Sequence, residues 1–242
     1  MELFFIITLF IVAFLYASIG HGGASGYLAL MAMFGIEAIT MRSSALILNL
    51  FVAGIAFYSY YKGGYFKWKI LLPFIIGSMP AAFLGAKLTI DPSIYKISLG
   101  FCLLIAVARM LIPVKNKKNK PLIAPNMLIG ITVGFIVGFF SGMIGIGGGI
   151  ILSPLLIVFG WANLKEAATI SAGFIWLNSA TGLLGTLSSG VHLSSMIIPW
   201  ILVALIGGFL GSWSGSFKFS LSTLRYVLAS VLVMASFKLF FV

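Results

Sequence analysis

Residues 144–149 read Ile-Gly-Ile-Gly-Gly-Gly and stand inside an apolar run that extends from 126 to 160. A weaker copy, Ile-Gly-His-Gly-Gly-Ala at 19–24, interrupts the apolar run from 3 to 35. One helical span needs about 20 apolar residues, so both runs are too long for a single simple span. Because glycine tolerates unusual backbone dihedrals, each cluster predicts a break in the first membrane segment of its part of the chain.

The composition around these clusters indicates a membrane protein. Hydrophobic residues make up 61% of the chain and charged residues 8%, whereas a soluble domain carries roughly 25% charged residues. Such a chain cannot cover its own surface with polar groups, so it needs lipid as its solvent. The sequence therefore predicts an all-α, multi-pass integral membrane protein. The remaining apolar runs are 39–61, 68–88, 93–112, 165–187, 194–216 and 220–241.

The two glycine clusters belong to an internal repeat. Ile19 to Gly23 matches Ile144 to Gly148 at an offset of 125 residues, and Pro73 matches Pro199 at 126. Later matches, such as Ser93 with Ser222, stand at 129. A nearly constant offset indicates a duplicated unit. We therefore expect a first transmembrane repeat at 1–112, a basic cytoplasmic linker at 113–124 and a second repeat at 125–242, with four apolar segments in each repeat.

The relative orientation of the repeats depends on the glycine breaks. If the broken segment crosses the membrane, each half has four spans and the repeats are parallel. If it turns back as a re-entrant hairpin, each half has three spans and the repeats are inverted. The positive-inside rule favours inversion with both termini outside, because it places eleven basic residues in the cytoplasm and four outside. The four basic residues outside are Arg42, Lys87, Lys96 and Lys238. The parallel arrangement, which divides the basic residues nine to six, stays open.

Each glycine break is a candidate anion site. The apolar stretch after each break, at 25–35 and 150–160, would begin a short helix whose free N–H groups and positive dipole end face the break. Backbone N–H groups of this kind bind anions without a fixed charge. The alternative interpretation of the glycines, close helix packing, fits Gly130, Gly134 and Gly138 best. The predicted substrate-binding residues are Gly20, His21, Gly22, Gly23, Ser25, Ser43, Ser44, Asn49, Gly145, Gly147, Gly148, Gly149, Thr169, Ser171, Asn178 and Thr181.

Some of these polar residues have a second interpretation. Asn49 and Asn178, which correspond only loosely at an offset of 129, either line the substrate path or hydrogen-bond between helices. His21, where the second cluster has Ile146, either couples transport to protons or donates a single hydrogen bond. No acidic residue lies in the middle of a span, which argues against a cation substrate and against coupling through a carboxylate.

Other classes of function find little support. The basic residues lie at the ends of spans and form no basic face, so no nucleic-acid partner is expected. A GxGxxG nucleotide site would need a preceding strand, which the context excludes. Cys102 has no partner for a disulfide or a thiolate site, and His21 and His192 are the only histidines. The sequence therefore predicts no enzyme, no catalytic residues, no metal and no cofactor.

The two clusters, the Val-Phe-Gly-Trp at 158–161 and the duplicated layout resemble the TauE/SafE family of sulfite exporters. The resemblance covers essentially the whole chain and implies export of a small sulfur-containing or organic anion through a bacterial inner membrane. Ala24 and Ala29 depart from the second copy, which has Gly149 and Pro154, so we expect the two halves to bind differently.

The expected function is a secondary transporter that exports sulfite or a small organosulfonate by alternating access. The alternative is an uncoupled, channel-like anion facilitator. The expected partners are the small anion and membrane lipid, with a homodimer as an open alternative.

Overall fold

The computed structural model describes residues 2–18, 22–88, 90–111, 124–191, 193, 197–214 and 221–241. Within these ranges the chain forms ten α-helices and no β-strand. The predicted linker 113–124 lies outside the described residues apart from Ala124. The helices are α1 (Glu2–Ser18), α2 (Ala24–Met33), α3 (Ala38–Lys62), α4 (Trp68–Lys87), α5 (Pro92–Leu111), α6 (Met127–Ile144), α7 (Gly149–Val158), α8 (Leu164–Ser188), α9 (Ile197–Ser214) and α10 (Leu221–Phe241).

The all-helical, membrane-spanning character predicted from the composition is confirmed. Among the described residues, α3, α4, α6 and α8 are long and apolar enough to cross a membrane. At 1.5 Å per residue, the 25 residues of α3 extend about 37 Å. The apolar parts of α1, α2, α5, α7, α9 and α10 are shorter, and fewer single helices reach span length than the apolar runs of the sequence suggest.

Both glycine clusters lie between helices. The first separates α1 from α2, and the second separates α6 from α7. The helices that follow them, α2 and α7, are each 10 residues long. They begin after Gly23 and Gly148, whose φ angles of 82° and 74° lie in the left-handed region that only glycine adopts at little cost.

Small residues bring α6 into close contact with α4. A Cβ on Gly134 would collide with the carbonyl of Phe74, and one on Gly138 would lie 2.5 Å from the carbonyl oxygen of Ser78. Gly130, at the start of α6, faces Pro73 in the same way. The interpretation of these glycines as packing residues is confirmed. The residue numbers of the contacting residues increase together along both helices, from Gly130 with Pro73 to Gly138 with Ser78, so α4 and α6 run parallel.

Helices α1 and α9 pack in the same manner. A Cβ on Gly207 would lie 2.8 Å from the carbonyl oxygen of Phe10, and one on Gly211 would collide with that of Phe14. Thus α1 of the first predicted repeat packs on α9 of the second, and α6 of the second packs on α4 of the first. Helices α3 and α8 also contact each other. Helices from both predicted repeats therefore contribute to each of the two buried hydrophobic clusters of the described residues.

Polar contacts mark two ends of the molecule. At the first, which we call the Lys67 end, Lys67 pairs with Glu166 at 2.5 Å and Lys165 Nζ donates to Tyr65 Oη at 2.9 Å. These contacts join the α3–α4 connection to the start of α8. At the second, the Arg42 end, Arg42 Nη1 donates to the carbonyl of Leu88 at 3.1 Å, which joins the start of α3 to the end of α4.

Candidate functional site

The first glycine break lies against side chains of α3 and α8. A Cβ on Gly22 would stand 3.2 Å from Ile175 Cγ2, 3.3 Å from Ala53 Cβ and 3.4 Å from Asn49 Oδ1. Ile175 and Asn49 are buried in the middle of their helices. The break therefore meets the centre of the helical core and not one of its ends.

The second glycine break lies against the same two residues. A Cβ on Gly147 would stand 2.8 Å from both Asn49 Nδ2 and Ile175 Cγ2, and 3.3 Å from Ser179 Oγ. The φ angle of Gly147 is 79°, which a side chain would strain. Asn49 and Ile175 thus join the two breaks, and we call Gly22, Gly147, Asn49, Ile175 and Ser179 the central cluster.

Helix register explains this convergence. Helices α3 and α8 each contain 25 residues, and Asn49 and Ile175 are both the twelfth residue of their helix. Ala53 and Ser179 are both the sixteenth residue. Each break therefore meets equivalent positions of α3 and α8. Among these positions, α3 supplies the amide of Asn49 and α8 supplies the hydroxyl of Ser179. In this register Asn49 is equivalent to Ile175, whereas the sequence expectation paired Asn49 loosely with Asn178.

The polar atoms of the central cluster are poorly paired. Asn49 is fully buried, its Nδ2 donates to the carbonyl of Ile146 over 3.4 Å, and its Oδ1 has no partner. The hydroxyl of Ser179, also fully buried, is unpaired as well. Leaving a buried polar group unpaired costs about 1–3 kcal/mol. Such groups are therefore available to hydrogen-bond a ligand.

The N-termini of α2 and α7 add backbone donors close to this cluster. Neither Gly23 nor Gly148, which precede these helices, supplies a side-chain cap. By contrast, Asn163 caps α8 with a full capping box. The first N–H groups of a helix have no intrahelical partner, and the helix dipole makes this end positive. The two short helices therefore direct positive partial charge toward the centre of the molecule.

Several predicted residues border the cluster. A Cβ on Gly149 would lie 3.2 Å from the carbonyl of Ser171, whose buried hydroxyl is unpaired. Gly148 faces Phe174, Val137 and Ser141. Gly145 lies against the backbone of Arg42 instead. Gly23 faces the ring of Tyr27.

Other predicted residues make hydrogen bonds elsewhere. The hydroxyls of Ser43, Thr169 and Thr181 donate to carbonyls of their own helices. Asn178 Nδ2 likewise donates to the carbonyl of Phe174, one turn before it. The remaining predicted residues are Ser25, which pairs with Tyr16 Oη at 2.8 Å, Ser44, which is buried on α3, and Gly20 and His21, which lie outside the described residues.

The sequence interpretation missed Ile175 and Ser179. The signal that locates them is the offset of 126 given by Pro73 with Pro199, since Asn49 plus 126 is position 175 and Ala53 plus 126 is position 179. The four-residue spacing of the pair puts both on one face of α8. The expected pairing of Asn49 with Asn178 corresponds to an offset of 129.

The chain matches curated relatives over most of its length. It is 31% identical over 236 residues to the probable membrane transporter protein y4hK of Sinorhizobium fredii, covering 96% of each chain. It is 29% identical over 259 residues to a probable membrane transporter protein of Methanocaldococcus jannaschii, covering 97% of this chain and 94% of the relative. The probable membrane transporter protein YunE of Bacillus subtilis is 26% identical over 192 residues, covering 71% and 67%. No solved structure gives a significant match.

The family model described as sulfite exporter TauE/SafE matches residues 5–239. This match confirms the resemblance noted in the glycine clusters. The family and the relatives are membrane transporters and not enzymes. The predicted location in a bacterial inner membrane agrees with the transporter relatives and the apolar helices. The chain is a multi-pass membrane protein that belongs to the TauE/SafE sulfite exporter family.

Proposed function

We propose that the protein is a secondary transporter that exports sulfite or a small organosulfonate by alternating access, with its substrate site at the central cluster. The observation that carries this proposal is the convergence of both glycine breaks on Asn49 and Ile175. Transporters commonly bind substrate near the bilayer midplane, where broken helices meet. The TauE/SafE name of the family supplies the substrate class.

The donors around the cluster suit an anion. The first turns of α2 and α7 supply N–H groups, Asn49 supplies an amide, and Ser179 and Ser171 supply hydroxyls. None of the described residues at either break is a carboxylate. Donors fixed in a water-poor site interact strongly with a charged acceptor because the surrounding dielectric is low. An oxyanion has several oxygen acceptors, which can pair with donors from both halves at once.

The second glycine break is proposed to be the tip of a re-entrant hairpin. Gly130, near the start of α6, packs on Pro73. Trp161, just after α7, lies 5.8 Å from Phe74 between ring centroids. Both ends of the α6–α7 unit therefore adjoin the start of α4, which lies at the Lys67 end. These contacts support a hairpin that enters and leaves on one face.

The first glycine break has matching contacts at the Arg42 end. The rings of Phe5 near the start of α1 and Phe34 just after α2 lie 5.1 Å apart. Phe5 also lies 4.8 Å from Trp200, near the start of α9. Helices α1 and α2 thus have the same relation to α9 that α6 and α7 have to α4. Two hairpins that enter from opposite faces correspond to inverted repeats.

Inversion supports alternating access. Each hairpin packs on a helix of the opposite half, since α1 lies on α9 and α6 lies on α4. Movement of either half therefore shifts one hairpin tip relative to the other at the central cluster. Rocking of this kind would open the cluster first to the Lys67 end and then to the Arg42 end, while the substrate donors stay near mid-membrane.

Sulfite efflux from proteoliposomes tests this function. We expect Gly147→Ala to lower the initial efflux rate at least tenfold, because the new methyl group would occupy space between Asn49 and Ile175. The matched control is Gly160→Ala, since Gly160 has a similar φ of 72° but open space around it. Equal efflux from both variants and the unchanged protein would contradict the proposed site.

A channel-like facilitator is the second candidate, because the described neighbours of the glycine breaks include no carboxylate that could carry a proton. The same proteoliposomes distinguish the two. Efflux that rises when a proton or counter-ion gradient is imposed supports coupled transport. Efflux that follows only the anion gradient supports the facilitator.

A further inference from the structure

A large cavity opens at the Arg42 end, away from the central cluster. Its volume is about 780 Å³. It lies where α3 and α5 begin and where α2, α4, α8 and α10 end. The cavity is far larger than one small oxyanion, so it has room for an anion together with its hydration water.

Basic side chains dominate the charge of this cavity. Its lining contains four of them, Arg42, Lys87, Lys96 and Lys238, and one acidic residue, Glu37. The four come from α3, α4, α5 and α10. They are also the four basic residues that the inverted topology places outside the cell. A cavity lined by one sign of charge between low-dielectric walls concentrates ions of the opposite sign.

Arg42 is the buried member of this group. Only 6% of its surface is exposed. Its Nη1 donates to the carbonyl of Leu88, whereas its buried Nε has no hydrogen-bond partner. The ion pair of Lys67 with Glu166 is at the other end of the molecule, and no carboxylate is paired with Arg42 among the described residues. A buried guanidinium without a carboxylate partner is costly, and a bound anion would offset that cost.

Neighbouring contacts hold the wall of the cavity in place. Lys238 Nζ donates to the carbonyl of Met33 at 2.7 Å, which joins α10 to the end of α2. Tyr95 Oη donates to the carbonyl of Ile144 at 3.0 Å, which joins α5 to the end of α6. Lys238 and Tyr95, which make these two hydrogen bonds, both line the cavity beside Arg42. Arginine suits oxyanions because its planar guanidinium can donate two parallel hydrogen bonds.

Arg42 also connects the cavity to the second glycine break. A Cβ on Gly145 would stand 3.0 Å from the carbonyl oxygen of Arg42 and 3.2 Å from its Cα. Gly147, two residues later, belongs to the central cluster. A rearrangement of this break would therefore reach both sites.

We propose that this cavity is an oxyanion-binding vestibule in which Arg42 is the principal donor. Its role as the place where exported anion leaves the central cluster rests on the proposed function, but anion binding at Arg42 does not. The shared chemistry is a tetrahedral or pyramidal oxyanion, and the occupant is the soluble anion. An anionic lipid headgroup carries the same chemistry and is the alternative source.

Anion titrations of the purified protein test the vestibule. The protein carries Gly147→Ala to silence the central cluster and is placed in nanodiscs of zwitterionic lipid. Sulfate and sulfite binding are measured by calorimetry. We expect Arg42→Gln to weaken binding at least tenfold and Arg42→Lys to retain part of it. Lys62→Gln, which removes an exposed charge at the other end of α3, should leave binding unchanged.

A second variant keeps the test decisive if Arg42→Gln does not fold. Lys87 is exposed and lies over the ring of Phe83, so Lys87→Gln should fold. It should weaken sulfate binding by roughly two- to fivefold and reduce its dependence on salt, because an exposed charge acts mainly through the long-range field. Unchanged binding in Lys87→Gln and in any folded Arg42 variant would overturn the proposal.

Two further outcomes separate the vestibule from its alternatives. Arg42-dependent sulfate binding, together with no sulfite efflux from the protein that retains Gly147, would support the vestibule while refuting the transport function. Arg42-dependent binding that appears only with phosphatidylglycerol in the nanodisc, and never with sulfate or sulfite, would overturn the assignment to a soluble anion.

Discussion

Asn49 is a buried polar residue that contacts both glycine breaks. It lies beside both glycine breaks, and its counterpart in α8 is the apolar Ile175. The central cluster is therefore asymmetric in chemistry although its backbone arrangement is nearly symmetric. In the proposed site, α3 would hold the anion through the side-chain amide of Asn49, and α8 would contribute the hydroxyl of Ser179.

Replacement of this amide gives a prediction at the residue scale. A hydrogen bond to a charged group contributes about 1.5–3 kcal/mol, and 1.4 kcal/mol corresponds to a tenfold change in affinity. Asn49→Ala should therefore weaken sulfite affinity roughly ten- to hundredfold, as measured by the half-saturating concentration for efflux. Asn178→Ala is the control, because it removes an amide of the same burial, with its Oδ1 also unpaired, that is not among the residues beside the glycine breaks. A larger loss in the control would refute the assignment of Asn49.

At the scale of residues, the sequence predicts the positions of the glycine breaks better than the polar residues around them. Glycine identity and spacing were enough to locate both breaks, because few other residues tolerate the φ angles found at Gly147 and Gly148. The polar partners were harder to predict. The hydroxyls of Ser43, Thr169 and Thr181 donate to backbone carbonyls of their own helices. A sequence alone does not reveal which hydroxyls of a membrane helix make such a bond and which can bind a ligand.

At the scale of elements, the two short helices explain how apolar runs of more than thirty residues fit the bilayer. Each run divides into a longer helix and a helix of 10 residues. The length of the runs predicted this division. The parallel packing of α1 on α9 and of α6 on α4 could not be predicted from length. It depends on which glycines face a neighbouring backbone, such as Gly138 against Ser78.

The proposed hairpins predict which ends of these elements share a face of the membrane. In a Cys102→Ser background, single cysteines replace Ala124 before α6 and Phe159 after α7, both of which are exposed. A membrane-impermeant maleimide should label both from the same face of oriented vesicles. Cysteines at Leu3 and Glu37, the ends of the α1–α2 unit, should label from the opposite face.

The alternative topology gives a different labelling pattern. If α6 and α7 formed one broken helix that crosses the bilayer, Ala124→Cys and Phe159→Cys would label from opposite faces. The repeats would then be parallel, and the two glycine breaks would belong to elements that enter from the same face.

At the scale of the whole molecule, three chemically different regions follow one another from the Lys67 end, through the central cluster, to the Arg42 end. The Lys67 end carries the pair of Lys67 with Glu166, the centre carries unpaired polar groups, and the Arg42 end carries the basic cavity. Basic side chains lie at both ends, whereas no member of the central cluster is charged. Along the proposed export path, no fixed positive charge therefore traps the anion at mid-membrane.

The most direct measurement of the proposed substrate site is a structure determined with selenite, which shares the pyramidal shape and charge of sulfite and can be located by the anomalous scattering of selenium. We predict a selenium peak beside Asn49 and the N-termini of α2 and α7, placed so that the selenite oxygens lie within hydrogen-bond distance of these donors, and no such peak in the Gly147→Ala protein. A peak at the Arg42 end with none at the central cluster, in protein that still exports sulfite, would contradict the site.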